Sequence, residues 1–299
     1  MAELSVSELV LEKRKTDTKK LITIGLLSMT AGSMKVPNAM LRRVLVTLRL
    51  ISGPLFVIML LSGEATSADI HVFSGGGPQE ALRHLSPEFE RATGHRVEFT
   101  FRLVTEIQQK LAAGEKADVI LLPVPLIAAI EKQVPLRSEG RIVLARVGIG
   151  VIARQGATPP DISTAEAVRK LLVNARAIAW SDPSTPVGGH LNRMIAELGI
   201  ADQVKPKLII KSAIEGGAEL VAKGEADVGF YLVSEVQTAK GITLVGLLPP
   251  PLQSFVVYGT AIPSYNATPE AALSFIKFIS DPAKGERWKA AGFEPIGGH

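Results

Sequence analysis

Val72-Phe73-Ser74-Gly75-Gly76-Gly77-Pro78 sets the pattern on which the rest of the chain is built. The β-prone residues Ile70, Val72 and Phe73 stop at a serine and three glycines, and Pro78 suits the first turn of a helix, where its missing N–H needs no partner. A strand that turns into a helix through glycines leaves backbone N–H groups free, with the positive end of the helix dipole behind them. The stretch therefore predicts an anion seat, with the Ser74 hydroxyl and the Gly75 backbone as donors. Residues 182–189, Asp-Pro-Ser-Thr-Pro-Val-Gly-Gly, repeat the design far along the chain and also precede a helical pattern. Two such seats facing each other would hold one anion between opposed helix ends.

Working outward from the first seat, the chain alternates strand and helix. A helix over 79–92, broken at Ser86-Pro87, leads to a strand over 97–101. A helix capped by Thr105 runs to Gly114, followed by a strand over 118–122 and a helix over 125–132. That alternation predicts a mainly parallel sheet flanked by helices, with ligands beyond the carboxyl ends of its strands, where Ser74, Arg102 and Thr105 fall. A long apolar strand over 142–153 crosses to a second α/β set. Its strands span 177–180, 207–210 and 227–231, and its helices span 164–172, 191–198 and 217–222. Pro249, Pro250 and Pro251 end that set, a second crossing strand spans 255–262, and two helices close the chain. The fold class is thus α/β and two-lobed, with lobe one formed by residues 69–146 and 255–299 and lobe two by residues 147–254.

The net charge of +4 comes from the first 68 residues. They hold nine of the 33 Lys and Arg and five of the 29 Asp and Glu, which leaves 24 of each sign from Asp69 onward. A formally neutral body has no nucleic-acid footprint. Arg42 and Arg43, the apolar run over 50–61 and the small residues at 65–68 have the order of a secretory signal peptide, cleaved near Ala68. Residues 40–68 are read as that peptide, with Met40 as the initiator, and residues 1–39 as no part of the native precursor. The sequence contains no cysteine, so the exported protein relies on its cores and carries no lipid on an N-terminal cysteine. A freely diffusing periplasmic protein is expected. His71, His84, His95 and His299 have no metal-ligand spacing, and neither a metal nor a cofactor is expected.

Several stretches together carry a resemblance: Asp182-Pro183 with Pro186 and Gly188, a helix ending at Leu198-Gly199, then Val204-Lys205-Pro206-Lys207-Leu208. With Ala117-Asp118-Val119, Gly224-Glu225-Ala226-Asp227-Val228-Gly229 and Ala291-Gly292-Phe293, the chain from Ile70 to Phe293 resembles the molybdate-binding proteins of ABC importers, within the type II periplasmic binding proteins. That family holds its oxyanion with uncharged donors. By the resemblance, Ser74 is the first serine and Thr105 the only candidate for the second hydroxyl. The backbone of Pro186, Val187 and Gly188 gives the first contact from lobe two, and Ile214, within Ala213-Ile214-Glu215, lies at the second. The family's tyrosine position falls on Leu232, and Tyr231, one residue earlier, is the candidate to replace it through a local shift, since a one-residue slip in a strand turns a side chain to the opposite face.

Arg102 departs from the pattern. Either it pairs with a nearby glutamate on the surface, or it faces the cleft and grips a carboxylate through two parallel hydrogen bonds. Tyr258, on the second crossing strand, and His190, beside Gly189, are further candidates for the cleft. The expected function is capture of a small anion, either a molybdate- or tungstate-like oxyanion or a small carboxylate, and delivery by a monomer to an inner-membrane ABC permease. The alternatives are a ligand-binding accessory of a membrane sensor and, third, a cleft enzyme, for which no acid or base with a displaced pKa stands out.

Overall fold

The structure, a computed structural model, describes residues 67–296. The described residues fall in one compact unit, Ala65–His299. The expected signal peptide and start site lie outside the described residues.

The first set of elements is β1 (Asp69–Ser74), α1 (Gln79–Thr93), β2 (Arg96–Phe101), α2 (Val104–Ala112), β3 (Val119–Pro123), α3 (Val124–Glu131) and β4 (Leu136–Arg137). The long β5 (Val143–Arg154) leads to α4 (Ala165–Asn174), β6 (Ile178–Trp180), α5 (Pro186–Glu197), α6 (Ala201–Val204), β7 (Leu208–Ile210), α7 (Gly217–Lys223), β8 (Val228–Leu232), α8 (Val233–Val236) and β9 (Ile242–Leu247). The chain then returns through β10 (Phe255–Pro263) and ends in α9 (Pro269–Ser280), α10 (Gly285–Ala290) and β11 (Glu294–Pro295).

The strands follow one hydrogen-bonded path, β2-β1-β3-β10-β5-β8-β6-β7. The trio β2-β1-β3 is parallel, and so is the trio β7-β6-β8. Antiparallel β10 and β5 join them, with Phe255 paired to Gly148 on one half of β5 and Leu232 paired to Ile149 on the other. The molecule is therefore α/β and two-lobed, and β5 is the strand shared by both halves.

Alternation along the strands explains how the two faces are covered. Ile70, Val72, Val119 and Leu121 enter the principal core with the apolar face of α1, whereas Phe73, Ile120 and Leu122 pack against Ile107 of α2 and Ile127 of α3. In the second half, Val228, Phe230 and Leu232 face the principal core. Ala179, Tyr231 and Ile152 meet Val221 of α7 on the other side.

The structure departs from the sequence reading in several places. Helix α1 runs unbroken past Pro87, because Leu82, Leu85 and Phe89, on both sides of the proline, are all fully buried and hold the turn that loses one hydrogen bond. The cap of α2 is Leu103, which places Thr105 inside the first turn rather than at the cap. Helix α5 starts at Pro186, five residues before the expected position, with Thr185 as its N-cap. Residues 186–189 are thus the first helical turn and not loop. Strand β9 was absent from the reading, being a half-buried strand paired to β5 with little alternation.

Candidate functional site

The carboxyl ends of the parallel strands point at a common cavity. Its walls are the residues that directly follow or end those strands: Gly76 after β1, Leu103 and Val104 after β2, Pro123 at the end of β3, Ser181 and Asp182 after β6, Ser212 and Ile214 after β7, and Leu232 and Glu235 after β8. Thr185, Pro186 and Val187 at the start of α5, with Val256 and Tyr258 of β10, complete the lining. Ile214 of the second half reaches over Gly76 of the first, where a Cβ on that glycine would lie 3.0 Å from Ile214 Cδ1. The space between measures about 50 Å³. At roughly 10–15 Å³ for each water, that is room for a few waters or one small anion.

Backbone donors come from both sides. Gly76 and Gly77 take no backbone partner for their N–H groups among the described residues, while Gly75 N–H donates to Leu121 O at 3.3 Å and the Gly76 carbonyl accepts from Gln79 N–H at 3.1 Å. The turn is held by its neighbours, and two N–H groups stay free at the start of the 15-residue α1. Opposite, Thr185 Oγ1 donates to Asp182 O at 2.7 Å and accepts from Gly188 N–H at 3.1 Å. Pro186 has no N–H, so among the described residues the Val187 N–H remains as the unpaired donor at the start of α5. Gly188 is required by close approach, since a Cβ there would lie 2.0 Å from Asp182 O. Among the described residues the Ala213 and Ile214 N–H groups likewise have no backbone partner, whereas those of Glu215 and Gly217 both donate to Ser212 O.

The residues predicted from sequence are only partly brought together. Pro186, Val187 and Ile214 line the cavity. Ser74 is fully buried behind the turn, and its hydroxyl donates to Gly75 O at 3.0 Å, so neither it nor Gly75 presents a donor to the cavity. Gly188 is beside the site with its N–H committed to Thr185. Arg102 takes the surface alternative: Nη1 donates to Phe101 O at 2.8 Å and Nε lies 3.9 Å from Glu106. Thr105 lines a separate depression between α2 and α3, with Gln108, Gln109 and Gln133. Tyr231 is fully buried on the far face of β8 and donates to Lys211 O at 2.9 Å, while Leu232 faces the cavity, as the strand period requires. The tyrosine in the cavity is Tyr258. His190 Nε2 is bound to Leu252 O at 2.9 Å, on the returning chain.

Glu235 was missed. The cavity carries two carboxyl groups, Asp182 and Glu235, and no Lys, Arg or His. Ser184 binds the Asp182 carboxylate, its N–H donating at 2.7 Å, and holds that group below the usual carboxylate range. Glu235 has no hydrogen bond or ion pair among the described residues, and burial pushes its carboxyl up to about 7. Burial also raises the Tyr258 phenol well above its ordinary value, with the nearby Glu235 charge adding to the effect. The Ser234 hydroxyl is buried without a partner. A glutamate between Val233, Ser234 and Val236, all buried, has apolar surroundings in the sequence itself. That was the available signal. Among the described residues no group of three His, Cys, Asp or Glu side chains could hold a metal ion.

Residues 70–294 match the family described as bacterial extracellular solute-binding protein. An aconitate isomerase of Pseudomonas sp is 29% identical over 233 residues, covering 75% of this chain and 87% of that protein. The molybdate-binding protein ModA of Escherichia coli strain K12 is 24% identical over 235 residues, covering 77% of this chain and 90% of its own length. Among solved structures, the periplasmic molybdate-binding protein of Azotobacter vinelandii superposes with a TM-score of 0.64 at 20% identity, covering 77% of this chain and 100% of that one.

Proposed function

The chain belongs to the family of bacterial extracellular solute-binding proteins, and from that premise we propose that it captures a small anion between its two parallel trios and delivers it to an inner-membrane ABC permease. It does so as a periplasmic monomer. The observation that carries this reading is that Gly76 from one half, with Gly77 beside it, and Val187 and Ile214 from the other, whose N–H groups have no backbone partner among the described residues, meet at one cavity lined by Gly76, Val187 and Ile214. Each set sits at a helix start, where the backbone dipoles favour negative charge. A ligand held by both sets stabilises only the closed arrangement, so capture and closure are one event. The relatives named for molybdate support oxyanions as candidate ligands, and the relative named for aconitate supports small carboxylates.

One observation favours a second reading, that of a cleft enzyme. An enzyme needs an acid or base that works near neutrality, and Glu235 has that character. In this reading the protein isomerises an unsaturated carboxylate.

Calorimetric titration with molybdate, sulfate, citrate and both geometric isomers of aconitate, followed by NMR of the recovered ligand, tests both readings. The proposal expects saturable binding of at least one anion and recovery of that anion unchanged. Interconversion of the aconitate isomers would establish the second reading in its place.

A further inference from the structure

An anion site lined by two carboxyl groups and no cation has an electrostatic problem. Two carboxylates facing a third negative charge repel it, so at least one of the groups must carry a proton. Asp182 is not that group, because Ser184 N–H donates to its carboxylate and stabilises the charged form. Glu235 stands alone. The elements packed against α8 offer it no cation. β8 brings Tyr231, whose hydroxyl is bound to Lys211 O, and β9 brings nothing that titrates. β5 carries Arg146, paired with Glu294 at 2.6 Å, and Arg154 beside Gly224. The turn Ala213–Glu215 brings Glu215, whose carboxylate accepts from Ser212 Oγ at 2.6 Å. β10 brings Tyr258, a donor and not a charge.

The hydroxyls beside Glu235 are built into the site. Tyr258 is 2% exposed and lines the cavity, and it takes no hydrogen bond among the described residues. Ser234 is 6% exposed, with its Oγ unpartnered. Both close on the first anion seat: a Cβ on Gly77 would lie 2.6 Å from the Tyr258 hydroxyl and 3.4 Å from Ser234 Oγ. Two hydroxyls without a partner among the described residues therefore face the glycine turn, and Glu235 lines the cavity onto which that turn opens.

We propose that Glu235 is the proton carrier of this cleft and a specificity-determining residue: as a neutral carboxyl it donates its O–H to an oxygen of the bound anion, beside the hydroxyls of Tyr258 and Ser234. The ligand is an acceptor oxygen of a carboxylate or of an inorganic oxyanion. This rests on the anion-binding reading above and adds that one proton accompanies the anion above neutrality. A carboxyl O–H donating to an anionic oxygen makes a short, charge-assisted bond, which a serine hydroxyl alone does not match. Burial holds the carboxyl near pH 7 in the free protein, so the proton is already in place in mildly acidic solution and must be taken up from solution above it.

The test titrates wild type and Glu235→Gln with aconitate and, separately, molybdate from pH 6 to 8.5, in buffers of different ionisation enthalpy. In wild type, affinity should fall about tenfold per pH unit above 7, with uptake of about one proton per anion at pH 8. The glutamine amide donates at every pH, so the variant should bind without the slope. The arm that shows the slope identifies the anion class. Equal wild-type affinity across the range, or an unchanged slope in the variant, overturns the inference while leaving the anion reading intact. Failure of every probe at every pH overturns the anion reading and the role given to Glu235 with it. A ligand-free arm separates these cases. A carboxyl whose folded pKa exceeds its unfolded value contributes stability at low pH that is lost as pH rises from about 4.5 to 7. The thermal midpoint of wild type should therefore drop relative to Glu235→Gln over that window, and coincident profiles would show that Glu235 ionises freely.

Discussion

A hydroxyl that opens into a cavity with no protein partner adds little to a fold, and Tyr258 keeps one among the described residues. Its ring is held by edge contacts to Phe293, with Trp288 beyond, so the phenol is fixed while its oxygen waits for a partner. Tyr258→Phe should leave thermal stability unchanged or slightly higher, since no protein bond among the described residues is lost. Binding should weaken by about 1.5–3 kcal/mol, the worth of a hydrogen bond to a charged group. Calorimetric titration and a melting curve read the two effects apart, and a loss of stability without a loss of affinity would make Tyr258 a core residue. At this scale the sequence was least informative. Ser74 and Arg102 are of the right types for anion contact, yet the Ser74 hydroxyl satisfies Gly75 O and Arg102 turns to Phe101 O and Glu106. Side-chain direction is decided by such local bonds, which residue type and spacing do not encode. Glu235 was overlooked for the converse reason, because a charged residue just past a strand suggests solvent.

The elements that join the halves carry a bond that imitates strand pairing. Gln253 Oε1 accepts from Ile149 N–H at 3.0 Å, and its Nε2 donates to Ile149 O at 3.0 Å, so one side chain takes both backbone groups of the residue where β5 passes between the trios. Gly148 and Gly150 flank that residue, and a Cβ on Gly148 would lie 3.2 Å from Gln253 Nε2. Gln253→Ala should lower stability by about 1–2 kcal/mol, at about 1 kcal/mol for each net hydrogen bond, as read by urea denaturation. Anion affinity should change far less than in Tyr258→Phe, because Gln253 does not line the cavity. An unaltered denaturation midpoint would remove Gln253 as a link between the halves. Elements were the most legible level of the sequence. Strong apolar runs such as 119–122, between Asp118 and Pro123, and 228–232, after Asp227, are buried on both faces, so their type is fixed locally. The start of α5 was misjudged because Pro186, Gly188 and Gly189 suggest a loop, although proline is favoured in a first turn and the Thr185 cap makes room for it. β9 was missed because its pairing to β5, not its own pattern, makes it a strand.

Over the whole molecule, two similar strand-glycine-helix designs far apart in the chain end on one cavity because β5 and β10 seat the parallel trios edge to edge with their carboxyl ends facing inward. That arrangement was legible from the alternation of elements and the two long strands, since a parallel trio with a crossing strand has few alternatives. What binds there was not legible, because the donors are mostly backbone N–H groups that any residue could supply. The anion-binding account stands or falls on those groups. The most direct measurement is a ¹H–¹⁵N NMR titration of the protein with the anion that binds in calorimetry. The account predicts that the amides of Gly76, Gly77, Val187 and Ile214 shift together, saturating at one anion per chain, while those of Gln108 and Gln133 in the separate depression stay in place. Shifts confined to that depression, or to one half of the cleft, would contradict it.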